Sequence, residues 1–441
     1  MYDPLTNKQL NNQQGFPESY WSSTTSPINY APLNSDVNAN VVIVGAGYTG
    51  LSCAIHLAQQ GVTNIVVVEA NEIGWGCSGR NAGFVLPGSG RLGYKQLVDR
   101  FGLAPTHKLH DDFMSAIELV DTLAIKTKAN IDKTELGYLK LAHSKNWFEK
   151  LKDSANYLHQ EFNYDVEIIP KHDFCNDYVD HKNVFGAIRY NNGFGINPLK
   201  LVNSYAEYAT SLGVTIYNQS PVNQITKSGQ QHSVNTEFGS VLADKLVIAT
   251  NGYTPKGLNT PIKNKILPVL TNVIVTRPLT ADELKRSNFN THQVMMDTRE
   301  LKYYYRLLPD NRILFGGRGA ISGKDATKPK YANRLLSELK SCFPELSTIT
   351  IDYNWIGWIS VAFDQMPHIH KTDDDIFYAT GYCGSGVSFS AYAGKLLSEL
   401  IQEKDVDSPL ISALPSLPFA QFRRTGQRFF YQYGRMKDWL G

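Results

Sequence analysis

Apolar positions along this chain fall into two kinds of pattern. The runs VVIV (41–44), IVVV (65–68) and LVIA (246–249) are continuous, so each predicts a strand covered on both faces, the arrangement of a parallel sheet. Between the first two, Leu51, Ile55, Leu57 and Ala58 recur at helical spacing. Asn197-Pro198 opens a further helix through Leu201, Tyr205 and Tyr208, which Gly213 ends. Residues 214–217 then predict a strand leading to Val222. Strand 376–379, the turn GYCGSG (381–386) and a helix through Leu397 and Leu400 complete this set.

Elsewhere the pattern alternates. Residues 273–276, 303–308 and 312–316, with short strands at 139–142 and 165–169 inside a helical stretch, predict a second, mostly antiparallel sheet with helices. The expected fold is therefore α/β, with a Rossmann-like domain on a parallel sheet and a second domain on the antiparallel one. Residues 39–98, 193–256 and 353–441 are assigned to the first domain and 99–192 and 257–352 to the second. Residues 1–38, rich in Asn, Ser, Thr and Pro, form an arm that Tyr20 and Trp21 anchor to the body.

Composition narrows the function classes. A chain of 441 residues with 42% apolar content suits two cores around a crevice. A net charge of +2 gives no field that points to nucleic acid. The five cysteines include no C-x-x-C pair, which argues against a disulfide framework or structural zinc and for a reducing compartment. No stretch reads as a membrane span, and a cytoplasmic location is expected. His368 and His370 share a strand face without a third ligand nearby and are read as a structural pair, so no metal is expected. The C-terminal stretch 422–440, basic and aromatic on all sides, is read as a helix docked on the body instead of a membrane-surface segment.

The chemistry lies in the turns. Gly45, Gly47 and Gly50 follow the first strand at G-x-G-x-x-G spacing and Glu69 ends the second. This is a dinucleotide-binding βαβ unit: a tight turn, close backbone approach to a pyrophosphate, a helix N-terminus opened by Tyr48 and Thr49, and a carboxylate for the ribose hydroxyls. Ala70 follows that acid, and Gly74, Gly76, Gly79 and Gly83 crowd the next segment. Cys77, Ser78, Arg80, Asn81 and Ala82 belong to that segment and are candidates for cofactor binding. Val222 and the turn Thr250, Asn251 and Gly252 add further ligand-facing backbone, as do Gly381, Gly384, Ser385, Gly386 and Val387 ahead of the last helix. So much ligand-facing backbone suits an elongated, buried FAD.

In their order GAGYTG, Glu69, GCSGRNAGF, INPLKL, LVIATNGYT, YYRLLPDNRILFGGR and GYCGSGVSFSAYAGKLL, these motifs make the chain similar to the D-amino-acid oxidase and sarcosine oxidase superfamily over nearly its whole length. SYWSS, IGWGCSGRNAGF and YYRLLPDNRILFGGR look most like its gamma-glutamylputrescine oxidase branch. The resemblance implies oxidation of an amine by hydride transfer to FAD, with molecular oxygen as acceptor. It also implies Ser78 for a phosphate and Arg80 or Asn81 for the ring system. FAD is expected to be non-covalent, since 355–367 contains no cysteine. Sarcosine-oxidase-like members carry a lysine where this chain has Ser388, so no cation for a substrate carboxylate is expected on that turn. Many members carry a histidine where this chain has Ser385.

The substrate slot is expected from the strand 303–306. Tyr304 and Arg306 are the candidates for catalysis together with Ser385, while Trp358 and Phe363 are weaker candidates for its wall. Cys77 and Cys383 are read as buried thiols without a catalytic part. Gamma-glutamylputrescine is the expected substrate, with aldehyde, ammonia and hydrogen peroxide as products. An N-methyl or D-amino acid oxidase or dehydrogenase, a flavin-binding protein without amine turnover and a pyridine-nucleotide dehydrogenase stand as alternatives. The oligomeric state is open.

Overall fold

A computed structural model describes residues 1–11, 14–26 and 28–440. Its first sheet is built around Val37–Val44. That strand lies parallel to Ile65–Val68 on one side, with Val41 opposite Ile65, and to Ser240–Ile248 on the other, with Val41 opposite Lys245. Thr215–Tyr217 extends the sheet beyond Ile65–Val68 and Ile376–Thr380 extends it beyond Ser240–Ile248, both in parallel. Antiparallel strands finish it: His368–Lys371 on the edge, and Gln224–Ser228 with Gln231–Asn235 branching from Ser240–Ile248.

Helices Tyr48–Gln59, Leu103–Thr127, Pro198–Ser211 and Gly386–Ile401 pack together in one large apolar core with this sheet. Asn197 caps Pro198–Ser211 through its side chain and Pro198 occupies the first turn. Ser52 Oγ donates to Ala391 O at 2.6 Å, joining Tyr48–Gln59 to Gly386–Ile401.

The second sheet runs Ile351–Ala362, Ile266–Thr276, Ile313–Arg318, Tyr304–Leu307, Val294–Asp297, Tyr138–Leu141, Gly186–Tyr190, Val166–Pro170. Every neighbouring pair is antiparallel except Val294–Asp297 with Tyr138–Leu141. One face packs on helix Lys330–Cys342 through Leu335 and Leu339; the other turns toward the first sheet. A short ribbon, Phe84–Val85 with Phe194–Gly195, stands between the two.

The structure divides the chain differently from the sequence at two places. Ile351–Ala362 pairs with Ile266–Thr276 from Ile266 opposite Ala362 to Thr276 opposite Ile351, so residues 353–362 lie in the second sheet. Leu103–Thr127 packs beside Gly386–Ile401, with Phe113 and Phe389 ring centroids 5.3 Å apart and Tyr392 OH donating to Asp112 at 2.7 Å. An apolar period identifies a strand or helix but carries no information about a partner far along the chain.

The N-terminal arm lies over the body. Tyr2 stacks on Tyr253 and donates to its carbonyl at 2.8 Å, and Trp358 Nε1 donates to Tyr2 O at 3.0 Å. Helix Tyr20–Thr24 buries Tyr20 and Trp21; Trp21 Nε1 donates to Asn81 O at 2.9 Å, edge-on to Trp355. Helix Arg423–Leu440 docks through Gln427, Tyr431 and Gly434, while Asp438 accepts from the Glu300 and Leu301 N–H groups; Phe429, Tyr433 and Trp439 stay exposed. No helix among the described residues is long and apolar enough to cross a membrane.

Trp21 is 1% exposed and joins the arm to the ligand-facing segment, so Trp21→Ala leaves a cavity at that junction. The expected loss is about 3–5 kcal/mol of stability, read from denaturant unfolding; a change under about 1 kcal/mol would show that the arm is not part of the folded unit.

Candidate functional site

The parallel strands deliver their turns to one edge of the first sheet, where a cleft of about 840 Å³ opens. Gly45 turns with φ +110°, a conformation open to glycine, and a side chain there would meet Ala249 O at 2.9 Å. A Cβ on Gly50 would lie 2.0 Å from Gly45 O, so the helix starts this close to the turn only because both are glycine. Helix Tyr48–Gln59 begins without a side-chain cap from Gly47, and Ser78 Oγ accepts the Tyr48 N–H at 3.0 Å. The cleft therefore meets a helix N-terminus with a hydroxyl beside it, the donor set for a phosphate.

Glu69 lies in this cleft and accepts from Ala46 N at 2.8 Å and Asn71 N at 3.1 Å. Burial raises its pKa, and these backbone N–H groups oppose the shift. Gly47, Tyr48, Thr49, Ala70, Gly76, Cys77, Val222, Thr250 and Asn251 also line the cleft, with apolar Val44, Val68 and Leu258 beside them. Two side chains of this group are turned inward: Tyr48 OH donates to Pro198 O at 2.8 Å, and Thr49 Oγ1 bonds Tyr382 OH at 2.7 Å. Gly252 packs against the Ile359 and Ser360 backbone, away from the lining.

Cys77 also lines a second cavity of about 1420 Å³, so the two lie next to each other with this residue between them. Asn81, Ala82, Gly384, Ser385 and Val387 line this one, while Gly381 and Gly386 shape the turn behind them. Ser385 Oγ donates to Gly88 O at 2.8 Å, and helix Gly386–Ile401 starts here with no side-chain cap, presenting its positive end to the cavity. The adjacent cavities, with the phosphate-type N-terminus in one and this second N-terminus in the other, fit an extended FAD. Burial pushes the Cys77 thiol up to about 11 and the Cys383 thiol up to about 12, so neither is a thiolate at neutral pH.

Arg80 and Gly83 stand off both linings. Arg80 Nε donates to Trp75 O at 2.6 Å and its guanidinium lies 4.3 Å from the Trp75 ring centroid.

Tyr304 lines the second cavity and Arg306 does not. Alternation puts both on one face of the strand, yet two residues of strand carry Arg306 beyond the cavity and beneath the short ribbon. There it is 1% exposed, donates to Ile196 O, lies over Trp21 and Phe84, and leaves Nε without a partner. Burial lowers it to about 10 and pushes the Tyr304 phenol up to about 12. Trp358 is fully buried under Tyr2. Phe363 lies in a separate apolar cleft along helix Arg423–Leu440, which shares Arg91 and Arg318 with the second cavity. Ser388 Oγ donates to Leu86 O at 3.0 Å. His368 bonds Asp364 at 2.9 Å and Ser412 at 3.0 Å, and the His370 ring meets Tyr378 edge-on.

The sequence reading missed the cavity's charge. Among the described residues Arg91, Lys140, Lys302 and Arg318 line it, and no Asp or Glu does. Sheet register explains the grouping: Lys140 lies opposite Met296, Met296 opposite Tyr304 and Tyr304 opposite Gly316, one row across the sheet. Lys302 and Arg318, two residues from Tyr304 and Gly316, fall on the same face. Burial lowers both lysines, Lys302 to about 7, with Lys140, Arg91 and Arg318 adding repulsion at Lys302. The turn around Ser388 supplies no cation for an acid, but the second sheet supplies three. A lysine interrupting an otherwise apolar strand at 138–141 was the available signal.

The model of the FAD-dependent oxidoreductase family DAO matches residues 40–400. Gamma-glutamylputrescine oxidoreductase of Escherichia coli strain K12 is 30% identical over 409 residues, covering 91% of this chain and 92% of that protein. Glycine oxidase of Bacillus subtilis strain 168 is 22% identical over 389 residues, covering 84% of this chain and 95% of that one. The crystal structure of glycine oxidase from Geobacillus kaustophilus superposes with a TM-score of 0.70 at 18% identity, covering 85% of this chain and 98% of that one.

Gly45→Val places branched methyls against Ala249 O. The purified variant is expected to retain flavin at least about 10-fold more weakly, roughly 1.4 kcal/mol, by the ratio of flavin to protein absorbance after dialysis. Full retention would remove Gly45 from the binding turn.

Proposed function

Because this chain belongs to the DAO family of FAD-dependent oxidoreductases, we propose that it oxidises the terminal alkylamine of the putrescine part of gamma-glutamylputrescine, with molecular oxygen as electron acceptor and FAD held non-covalently. The observation that carries this reading is the cavity beside the dinucleotide cleft, sharing Cys77 with it, with the uncapped helix N-terminus at Ser385 and Val387 on one wall and apolar and aromatic side chains on the other. Near-full-length similarity to the Escherichia coli enzyme supports the choice of substrate.

FAD, when bound, supplies the two-electron acceptor for a hydride from the carbon beside the nitrogen. The amine loses that hydride and an N–H proton to become an imine. Water converts the imine to aldehyde and ammonia, and oxygen takes up the electrons as hydrogen peroxide. Phe84, Leu86, Val273, Met296, Tyr304 and Ile359 give the slot that orients the C–H bond. No carboxylate base lines it, and none is needed once the amine is neutral. A cavity lined by cations and no carboxylate disfavours an ammonium ion, which favours entry of the neutral amine. The N-terminus of Gly386–Ile401 favours negative charge developing beside it. All five cysteines are free, which supports a cytoplasmic setting.

The cations favour a second reading, an oxidase of N-methyl or D-amino acids, whose carboxylate they would also accept. Anaerobic addition of gamma-glutamylputrescine is expected to bleach the flavin band rapidly, with sarcosine and D-alanine much slower. A band that only sarcosine or D-alanine bleaches would transfer the assignment to the second reading. Since only neutral amine reacts, kcat/KM is expected to climb about 10-fold per pH unit below the substrate amine's pKa and then level off; a flat profile would remove amine deprotonation from the mechanism. Tyr304→Ala, which opens the slot, is expected to lower kcat/KM by about 100-fold.

A further inference from the structure

Lys140, Lys302 and Arg318 bring three basic groups to one wall of the second cavity, and no carboxylate among the described residues pairs with them. None of the three forms an ion pair or donates a side-chain hydrogen bond among the described residues. The acids nearest to them are engaged elsewhere. Glu300 is held by Arg91 at 2.5 Å and Lys437 at 3.1 Å. Asp297, the carboxylate that acts on Lys302, bonds Arg299 at 2.6 Å and accepts the Tyr303 N–H at 3.0 Å. The remaining titratable groups of the lining are the neutral phenols of Tyr94, Tyr138, Tyr190 and Tyr304 and the thiols Cys77 and Cys383. Loop 88–93 contributes Arg91, one more cation, and the turn beside Ser385 contributes a helix N-terminus.

Like charges gathered on one face without a counter-ion repel one another unless something negative enters. The phosphate-type site at Gly45 and Ser78 lies in the other cleft, so a dinucleotide's phosphates do not meet this need. Arg318 stands where the second cavity meets the apolar cleft along Arg423–Leu440, and its planar fork suits a carboxylate.

We propose that Lys140, Lys302 and Arg318 form a carboxylate-binding subsite, and that the substrate is an amine carrying an acid group at its far end. The acid rests against the second sheet while the amine end extends toward the Ser385 turn. The apolar row between, Met296 and Tyr304 with Val273, holds the connecting chain. This rests on the amine-oxidase reading and adds to it the charge of the substrate's other end.

The test uses holoenzyme and the variants Lys302→Met, Lys140→Met and Arg318→Met. Glutarate, an unreactive dicarboxylate, is titrated calorimetrically, with inorganic phosphate in parallel. Wild-type enzyme is expected to bind glutarate, more tightly than phosphate, and each variant at least about 10-fold more weakly. In turnover, the ratio of kcat/KM for gamma-glutamylputrescine to that for N-acetylputrescine, a neutral amide with the same amine, is expected to fall by about 10-fold or more in each variant. The Tm of Lys302→Met should equal or exceed that of wild type, because an unanswered charge has been removed. If that variant does not fold, Lys302→Gln takes its place.

Glutarate that fails to bind wild type, or binds the variants equally well, overturns the subsite, and so does an unchanged kcat/KM ratio. Tighter binding of phosphate overturns the carboxylate assignment. If no amine reduces the flavin while glutarate binds as expected, the oxidase reading fails and the subsite stands.

Discussion

Parallel hydrogen bonding on both sides of Val37–Val44 decides where every ligand-facing residue of the first sheet stands. With Val44 opposite Val68 on one side and Ile248 on the other, the next residues of three strands, Gly45, Glu69 and Ala249, arrive together at one edge. Ile376–Thr380 adds a fourth strand in the same direction and brings Gly381 there. Strands buried on both faces tolerate no register slip, since a shift of one residue would exchange every buried side chain for its neighbour. The edge position of the turns is thus as firm as the core itself. Ligand binding at the carboxyl ends of parallel strands follows from that geometry together with the helix N-termini that start there.

The second sheet has a different task and a different physics. Its outer face packs conventionally on Lys330–Cys342, but its inner face carries Lys140, Lys302 and Arg318 beside Tyr304. A sheet face built only for stability would place apolar residues at these positions, because desolvated, unpaired ammonium groups oppose folding. Their place beside a cavity suits a recognition surface. Arg306 shows the contrast. Equally cationic and on the same strand face as Tyr304, it is sealed under Trp21 and Phe84 with a backbone carbonyl as its partner, and it ties the arm and ribbon to the sheet.

What was legible in the sequence was local. The glycines at 45, 47 and 50, the apolar runs beside them, the Asn197-Pro198 helix start and the 381–386 turn each owe their structure to neighbours a few residues away. Long-range pairing was not legible. Ile351–Ala362 reads as a strand, but nothing in its composition says that it joins Ile266–Thr276 instead of the parallel sheet. Leu103–Thr127 likewise carries no mark of its contact with Gly386–Ile401. The same limit hid the cation cluster, whose members come from two strands and the segment leading into a third and meet through the pairing of those strands. Alternation rightly put Tyr304 and Arg306 on one face; it could not say that the cavity ends between them.

The two sheets therefore separate two chemical demands. Backbone turns, which do not depend on side-chain identity beyond glycine, hold a cofactor whose shape is constant. Side chains of a single row and its neighbour, exchangeable without disturbing main-chain hydrogen bonds, face the part of the site where substrates differ. A substitution at position 140, 302 or 318 alters charge in the cavity while leaving Gly45, Ser78 and the helix starting at Gly386 untouched. That independence would let charge in the cavity change from one member of an architecture to another without disturbing the turns at the edge of the first sheet.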